Sequence, residues 1–331
     1  MTTSEQLFLS LSDELNFTRT AEKAYISQQG LSDHIKRLEK NYGTMLFTRH
    51  PRVSLTEAGQ ALRIKLLAQL RLETDLANRL EEIESGFGTT GTIRFGINSS
   101  RALVGIAPIF AEYHMQYPHV QVELFLGETI DMIQQMERGK LDCFLGVNPA
   151  VNAPQYAEHL ADEQAYIMMS KSYLLTYLNE AFSEQSLPSG AITLKNFQGL
   201  PMAGNNSRST THDYLNSYLS VQGISIHKIL AVSDYNVLDN LCRTGTVAAF
   251  VPQFFVPTIL KNNNHYPLLQ QIYVLPLNEV GTPLHVCLVY NQADDPPRFL
   301  KAFEVCVKKQ IMEQHADLRR VGKVYDKFIL H

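Results

Sequence analysis

The chain has 331 residues, 45% of them hydrophobic and 19% charged, with a formal net charge of −4, the composition of a soluble globular protein with two or three compact units. The acidic balance argues against indiscriminate nucleic-acid binding, and no apolar run is long enough to span a membrane. The opening stretch MTTSEQLFLSLSDELNFT carries Glu5 ahead of a mixed polar and apolar run. It has no basic leader, long apolar core or small-residue cleavage site, so the expected location is the cytoplasm.

The segment Phe17 to Glu39, FTRTAEKAYISQQGLSDHIKRLE, predicts two short amphipathic helices meeting at a tight turn, the helix-turn-helix pattern of DNA-binding heads. In the second helix Leu31, Ile35 and Leu38 fall at helical spacing and face a core. Gln28, Gln29, Ser32, Asp33 and Lys36 are left pointing outward. Ser27 stands at the cap position, and the two glutamines occupy the end that enters a major groove, where their amides can pair bidentately with adenine. Asp33 would repel phosphate, which leaves the operator sequence open. Leu46 to Thr56 places two short apolar runs around a basic, proline-bearing tip, the shape of a wing. Residues 1 to 65 hold nine Lys/Arg against seven Asp/Glu. Arg19, Lys36, Arg37, Arg49 and Arg52 are the expected phosphate contacts, with affinity falling as salt rises.

Thr56-Glu57-Ala58-Gly59 opens a helix expected to run to about Glu84, Thr56 serving as N-cap. Within it Leu62, Leu66, Leu70, Leu72, Leu76, Leu80 and Ile83 recur mostly three or four apart, so the helix needs a packing partner, in its own domain or in a second helix. Three glycines in Ser85 to Gly91 then predict a hinge. Beyond it strands and helices alternate: strands at 92–97, 120–126 and 143–147, with helices at 101–116 and 129–138. A second unit starts near Ala165, with strands at 167–169, 229–232 and 247–251 and a main helix from Thr210. The chain returns with a strand at 285–290 and a helix from Pro297. Such alternation predicts a parallel, doubly wound α/β sheet.

Small ligands bind such modules at the C-terminal ends of strands, where helix N-termini offer free amides. Two segments qualify, Asn98-Ser99-Ser100-Arg101 and Asn205-Asn206-Ser207-Arg208-Ser209-Thr210, with Gly127-Glu128-Thr129 completing one wall. The expected effector contacts are Ser99, Ser100, Arg101, Thr129, Asn205, Ser207, Arg208 and Phe250. Loops of Ser and Asn before helices also serve as plain caps. Arg101 and Arg208 favour a small polar effector bearing a carboxylate. The four cysteines, Cys143, Cys242, Cys287 and Cys306, are far apart and contain no CxxC, so buried free thiols are expected. The eleven histidines suggest no ligand-spaced cluster, hence no metal and no bound cofactor. GxGxxG, P-loop, GxSxG and HExxH signatures are absent.

The N-terminal residues resemble the DNA-binding head of the LysR-type transcriptional regulators, on Phe17-Thr18, Ala21-Glu22, Ser27-Gln28, Leu31-Ser32, Arg37-Leu38-Glu39, Leu46-Phe47, Arg49 and Leu55-Thr56-Glu57-Ala58-Gly59. The sequence departs from that family at Gln29, usually proline, at Gly30, usually alanine, and at Asp33, commonly arginine. The resemblance adds Thr18 to the DNA-facing set. It implies a winged helix-turn-helix at 1–59, a linker and dimerisation helix at 60–85, a hinge at 86–91, and an effector domain of type 2 periplasmic-binding-protein fold at 92–315. Its first lobe would comprise 92–163 and 268–315 and its second 164–267, with Arg138 to Asp142 and Phe250-Val251-Pro252 at family positions. It also implies a homo-oligomer built as a dimer of dimers on a DNA operator of dyad symmetry, controlled by the effector, with RNA polymerase a candidate partner and no membrane partner. Residues 316–331 extend past the usual end and are expected to be a solvated tail. The competing reading is an enzyme that binds or transforms small acids with the two-lobed module, which would have no use for the head. A solute receptor would need an export signal.

Overall fold

The computed structural model describes residues 1–49, 51–85, 90–178, 193–205, 209–277, 283–291, 296–324 and 326–330. Two compact units divide the chain near Thr90. Most of the expected hinge, 86–89, lies outside the described residues.

The N-terminal unit opens with α1 (Thr3–Glu14), which the sequence reading missed. Its signal is a capping box, the Thr2 hydroxyl taking the Glu5 amide while the Glu5 carboxylate takes the Thr2 amide. α2 (Phe17–Lys23) and α3 (Gln28–Tyr42) follow as expected, capped by Asn16 and Ser27, and α3 stops at Gly43, whose φ of 67° suits glycine. The wing is β1 (Phe47–Thr48) antiparallel to β2 (Ser54–Leu55). Leu7, Phe8, Leu11, Leu31, Ile35, Leu38, Leu46 and Phe47 form one core, which Leu62 and Leu66 of α4 (Glu57–Ser85) join. A Cβ on Gly59 would meet the Leu46 carbonyl oxygen at 2.1 Å, so only glycine lets α4 start against the wing. Farther along α4, Leu72, Leu76, Leu80 and Ile83 are exposed.

The second unit is two α/β lobes. Lobe one holds β3 (Gly91–Ile97), α5 (Ser99–Gln116), β4 (Val120–Leu126), α6 (Thr129–Glu137), β5 (Cys143–Val147) and β6 (Gln155–Glu163). Lobe two holds β7 (Ala165–Ser170), α7 (Lys171–Tyr177), β8 (Pro201–Gly204), α8 (Thr210–Gln222), β9 (His227–Ala231), α9 (Tyr235–Arg243), β10 (Ala248–Pro252), α10 (Val256–Asn262) and β11 (Ile272–Pro276). The chain then returns to lobe one with β12 (Leu284–Asn291) and α11 (Arg298–Val324). The sheet orders are β4-β3-β5-β12-β6 and β11-β7-β10-β8-β9. Both are mixed rather than wholly parallel: β12 runs antiparallel to β5 and β6, and β7 antiparallel to β10 and β11. The chain crosses back only after Pro276, because β11 pairs along its length with β7; residues 268–277 therefore belong to lobe two, not lobe one. All four cysteines are free and buried. Among the described residues no helix is long and apolar enough to cross a membrane.

The C-terminal segment is not a solvated tail. α11 runs on to Val324, and Ile329 then forms a parallel bridge with Val274 at the free edge of β11. Phe328 and Leu330 are buried in the two cores that flank the lobe-two sheet. The apolar run Phe328-Ile329-Leu330 supplies the physical reason, since a strand edge and two hydrophobic faces are there to receive it. Phe328→Ala is expected to cost about 3 kcal/mol of stability by chemical denaturation. A freely solvated residue would leave the midpoint within about 0.5 kcal/mol of wild type.

Candidate DNA interface and effector cleft

The first turn of α3 is held by the Ser27 hydroxyl, which accepts from the Gly30 amide at 3.0 Å. Leu31, Ile35 and Leu38 anchor its inner face in the head core. The opposite face therefore has no freedom to rotate away. Thr18, Arg19, Ser27, Gln28, Gln29, Asp33, Lys36, Arg37 and Arg52 are exposed, and Ser32 and Arg49 half-buried. Four of these side chains have partners that sequence alone did not assign. Gln29 donates its amide to Asp33 at 3.2 Å, so Asp33 orients the amide next to the groove-entering end. Arg19 pairs with Glu14 at 3.1 Å, and Lys23 pairs with the same carboxylate. Hydrogen bonding from Lys23, with the Lys23 and Arg19 charges, holds Glu14 below the usual carboxylate range. Arg49 lies over the Phe17 ring at 5.3 Å, which fixes the base of the wing tip against α2.

In the second unit a cleft opens where the N-termini of α5 and α8 face α9 and the turn after β10. Asn98, Arg101, Glu128, Thr129, Ser209, Thr210, Thr211, Tyr235 and Phe254 line it, with Leu145, Val147, Pro252 and Leu284 as apolar floor. The cleft is open to solvent: about 30 Å³ of it is accessible to water-sized molecules, room for about two, within about 440 Å³ of empty space that includes open solvent.

At its inner edge Arg101, buried on α5, makes a bidentate pair with Glu163 at 2.8 and 2.9 Å and lies 4.0 Å over the Phe254 ring. His315 of α11 adds a 3.3 Å contact to the same carboxylate. Burial alone would raise the Glu163 carboxyl. The Arg101 charge and hydrogen bonds, with His315, outweigh it and hold the group below its ordinary range. Arg101, expected to offer its charge to an effector carboxylate, is thus already neutralised from inside. Burial, reinforced by Asp131, instead raises the Glu128 carboxyl against hydrogen bonds from Ser233 and Ser209.

Other expected contacts are also reassigned. Ser100 is fully buried, and its hydroxyl accepts the Tyr235 amide at 3.0 Å, a bond from lobe one to lobe two. Ser99 is half-buried and does not line the cleft. Phe250 faces the lobe-two core with Ile167, Met202 and Leu215, because the register of β10 turns it away from the cleft. Thr129 does line it, its hydroxyl accepting the Val147 amide at 3.0 Å and keeping its own proton to donate. Asn205 is buried and donates to the Tyr235 hydroxyl at 3.4 Å, while its Oδ1 has no hydrogen-bond partner among the described residues. Ser207 and Arg208 lie outside the described residues. The residues missed are Tyr235, Thr211 and Phe254. Tyr235 is buried, which pushes its hydroxyl up to about 12, and so it stays protonated and able to donate. No sequence spacing marks it; only the Asp234 cap at the start of α9 gives a local sign. Pairing of β6 with β12 also gathers His159, Asp162 and His285 on an exposed face, a grouping that no sequence spacing marks.

A family model described as the LysR substrate binding domain matches residues 88–311, and one described as the bacterial regulatory helix-turn-helix protein, lysR family, matches residues 4–60. The HTH-type transcriptional activator IlvY of Salmonella typhimurium is 27% identical over 293 residues, covering 87% of this chain and 94% of the relative. The crystal structure of ArgP from Mycobacterium tuberculosis superposes with a TM-score of 0.65 at 13% identity, over 94% of this chain and 97% of that one. Full-length CbnR in complex with its target DNA does so with a TM-score of 0.52 at 14% identity, over 93% and 98%. The structural likenesses concern the fold.

Glu163→Gln would leave a buried arginine without its counter-charge, and a loss of about 3–5 kcal/mol is expected near neutral pH. Because the folded carboxyl lies below its ordinary value of 4.5, its ionised form stabilises the wild type above that pH. The advantage disappears as pH falls below it, so the gap between wild type and variant should narrow in acid. Denaturation midpoints at neutral pH and below pH 4.5 check both statements.

Proposed function

The chain belongs to the LysR family of transcriptional regulators, and from that premise we propose that paired heads grip a dyad-symmetric operator while a small effector between the lobes sets their spacing. The family is one of DNA-binding regulators with effector-binding domains, not of enzymes. The observation that carries the DNA reading is the exposed first turn of α3, with Gln28 and Gln29 at its tip. Gln28 and Ser32 read base edges; Gln29 does so in the orientation Asp33 gives it. Arg19, Lys36, Arg37, Arg49 and Arg52 hold phosphates, Arg19 by exchanging Glu14 for DNA. Thr18 and Ser27 add hydroxyl contacts to the backbone.

The exposed leucine face of α4 supports dimerisation through that helix, and a dimer of dimers follows from a second, independent contact between effector domains. Operator binding places the protein in the cytoplasm, with RNA polymerase as the second macromolecular partner.

The effector is a small polar compound carrying a carboxylate. Because Arg101 is neutralised by Glu163, its anion binds at the N-terminal amides of α8, where the Ser209 hydroxyl caps no amide. Glu128, to which Ser209 donates, and the Tyr235 hydroxyl lie beside that helix start and select the compound's hydrogen-bonding groups. The space within the cleft is small, so a ligand larger than a few waters binds by shifting the lobes, and the effector biases one lobe arrangement over another.

Gel-shift titration against DNA upstream of the protein's own gene and its divergent neighbour, with random competitor and at two salt concentrations, tests the DNA reading. Gln28→Ala is expected to lower selectivity for the operator about tenfold with the fold intact. Equal loss on operator and random DNA would contradict it. A panel of small carboxylates should raise the thermal midpoint of the full-length protein, and Glu128→Gln should reorder the panel; no shift with any carboxylate removes that effector class.

A further inference from the structure

Away from the cleft, β6 and β12 bring together three metal-ligating side chains on an exposed face of lobe one. On a regular strand residues three apart project to opposite faces, so His159 and Asp162 would not meet. The ladder, however, slips between Val286 and Cys287. Ala161 lies opposite Val286 and His159 opposite Cys287, which makes Leu160 the extra residue of a β-bulge. Leu160 packs on the lobe-one core, and the bulge sets His159 on the same face as Asp162. His285 stands directly across the ladder from Asp162.

The donor atoms converge on one point. His159 Nε2 and His285 Nδ1 each lie 2.7 Å from the same Asp162 Oδ1, and the two rings meet edge to face with centroids 5.5 Å apart. All three side chains are about half exposed, at 53%, 51% and 49%, and so free to adjust. We propose that His159, Asp162 and His285 form a binding site for a divalent transition-metal cation of the zinc class, with a further position open to water. Tetrahedral bonds of about 2.0–2.1 Å put ligand atoms about 3.3 Å apart, so the present cluster has to widen by only about 0.6 Å at each contact. Two imidazoles and one carboxylate suit zinc, nickel or copper; magnesium and calcium require oxygen ligands. The cation replaces the hydrogen bonds that the imidazoles make to Asp162. The site lies two residues before Gln164, which follows β6 into lobe two, and His285 adjoins Leu284 of the cleft floor. A bound cation therefore clamps together two strand ends that border the cleft.

Full-length protein stripped with a chelator and titrated with zinc against a chromophoric competitor near neutral pH should take up one zinc per chain. His159→Ala and His285→Ala should each weaken that uptake about tenfold or more, and excess magnesium should leave it unchanged. Circular dichroism of the variants guards against misfolding, and Asp162→Asn, which keeps the shape of the side chain, should weaken uptake as well. Uptake of unchanged affinity in both histidine variants would assign the zinc to other groups and overturn the proposal. So would the absence of stoichiometric uptake by the wild type, or equal competition by magnesium.

Discussion

The effector domain is organised around one buried ion pair, Arg101 with Glu163. Taking a guanidinium and a carboxylate out of water costs several kcal/mol per ion before any attraction is counted. The pair is tolerated because its geometry is bidentate, because His315 shares the carboxylate, and because Phe254 covers the guanidinium face. Its four members come from α5, the end of β6, α11 and the turn after β10. Those are the elements that meet where the chain passes from lobe one to lobe two, so the electrostatics of one pair fix the register of the whole domain. Hydrophobic side chains of similar volume would fill the space but would tolerate sliding; a forked hydrogen-bonded pair does not.

That constraint shapes what the cleft can do. With Arg101 satisfied internally, the groups left facing the cleft are hydroxyls, amides, one carboxyl of raised pKa and the amides of a helix N-terminus. The Ser100 hydroxyl already spends itself on the Tyr235 amide across the lobes. A ligand that competes for Tyr235 or for Glu128 acts on the same small set of cross-lobe contacts, so ligand affinity and lobe arrangement are linked by construction. Discrimination among effectors rests on which buried polar groups are left unpaired, a stronger selector than apolar fit.

The sequence reveals the head well because its determinants are local. A cap at Ser27, apolar spacing at Leu31, Ile35 and Leu38, and the Thr56 to Gly59 start of α4 each lie within one turn or one hairpin. The Thr2 and Glu5 capping box was equally local and readable. In the effector domain the alternation of helices and strands was legible, but β6, β8 and β11 were not. QYAEHLADE has no clean alternation, and its strand character comes from pairing with β12, more than a hundred residues away. The same long-range pairing explains why β11 joins lobe two and why two histidines 126 positions apart (285 − 159) share an aspartate. Register likewise placed Phe250: the pairing of β10 with β7 turns it into the core, whereas Phe254, in the turn after the strand, reaches the cleft. Charges were the least legible feature, since a sequence shows that Arg101 is present but not that Glu163 has already claimed it.

The docked C-terminal segment gives the domain a third passage between its lobes. Two strand connections make a hinge about which a module of this kind can rock. A helix that starts on one lobe, followed by a segment whose Ile329 is bridged to Val274 on the other, turns that hinge into a closed linkage. Rocking then has to stretch the linkage or detach it, which narrows the stroke available to a ligand. It also makes the segment Phe328 to Leu330 part of the moving machinery: a chain lacking it would swing more freely than the native one.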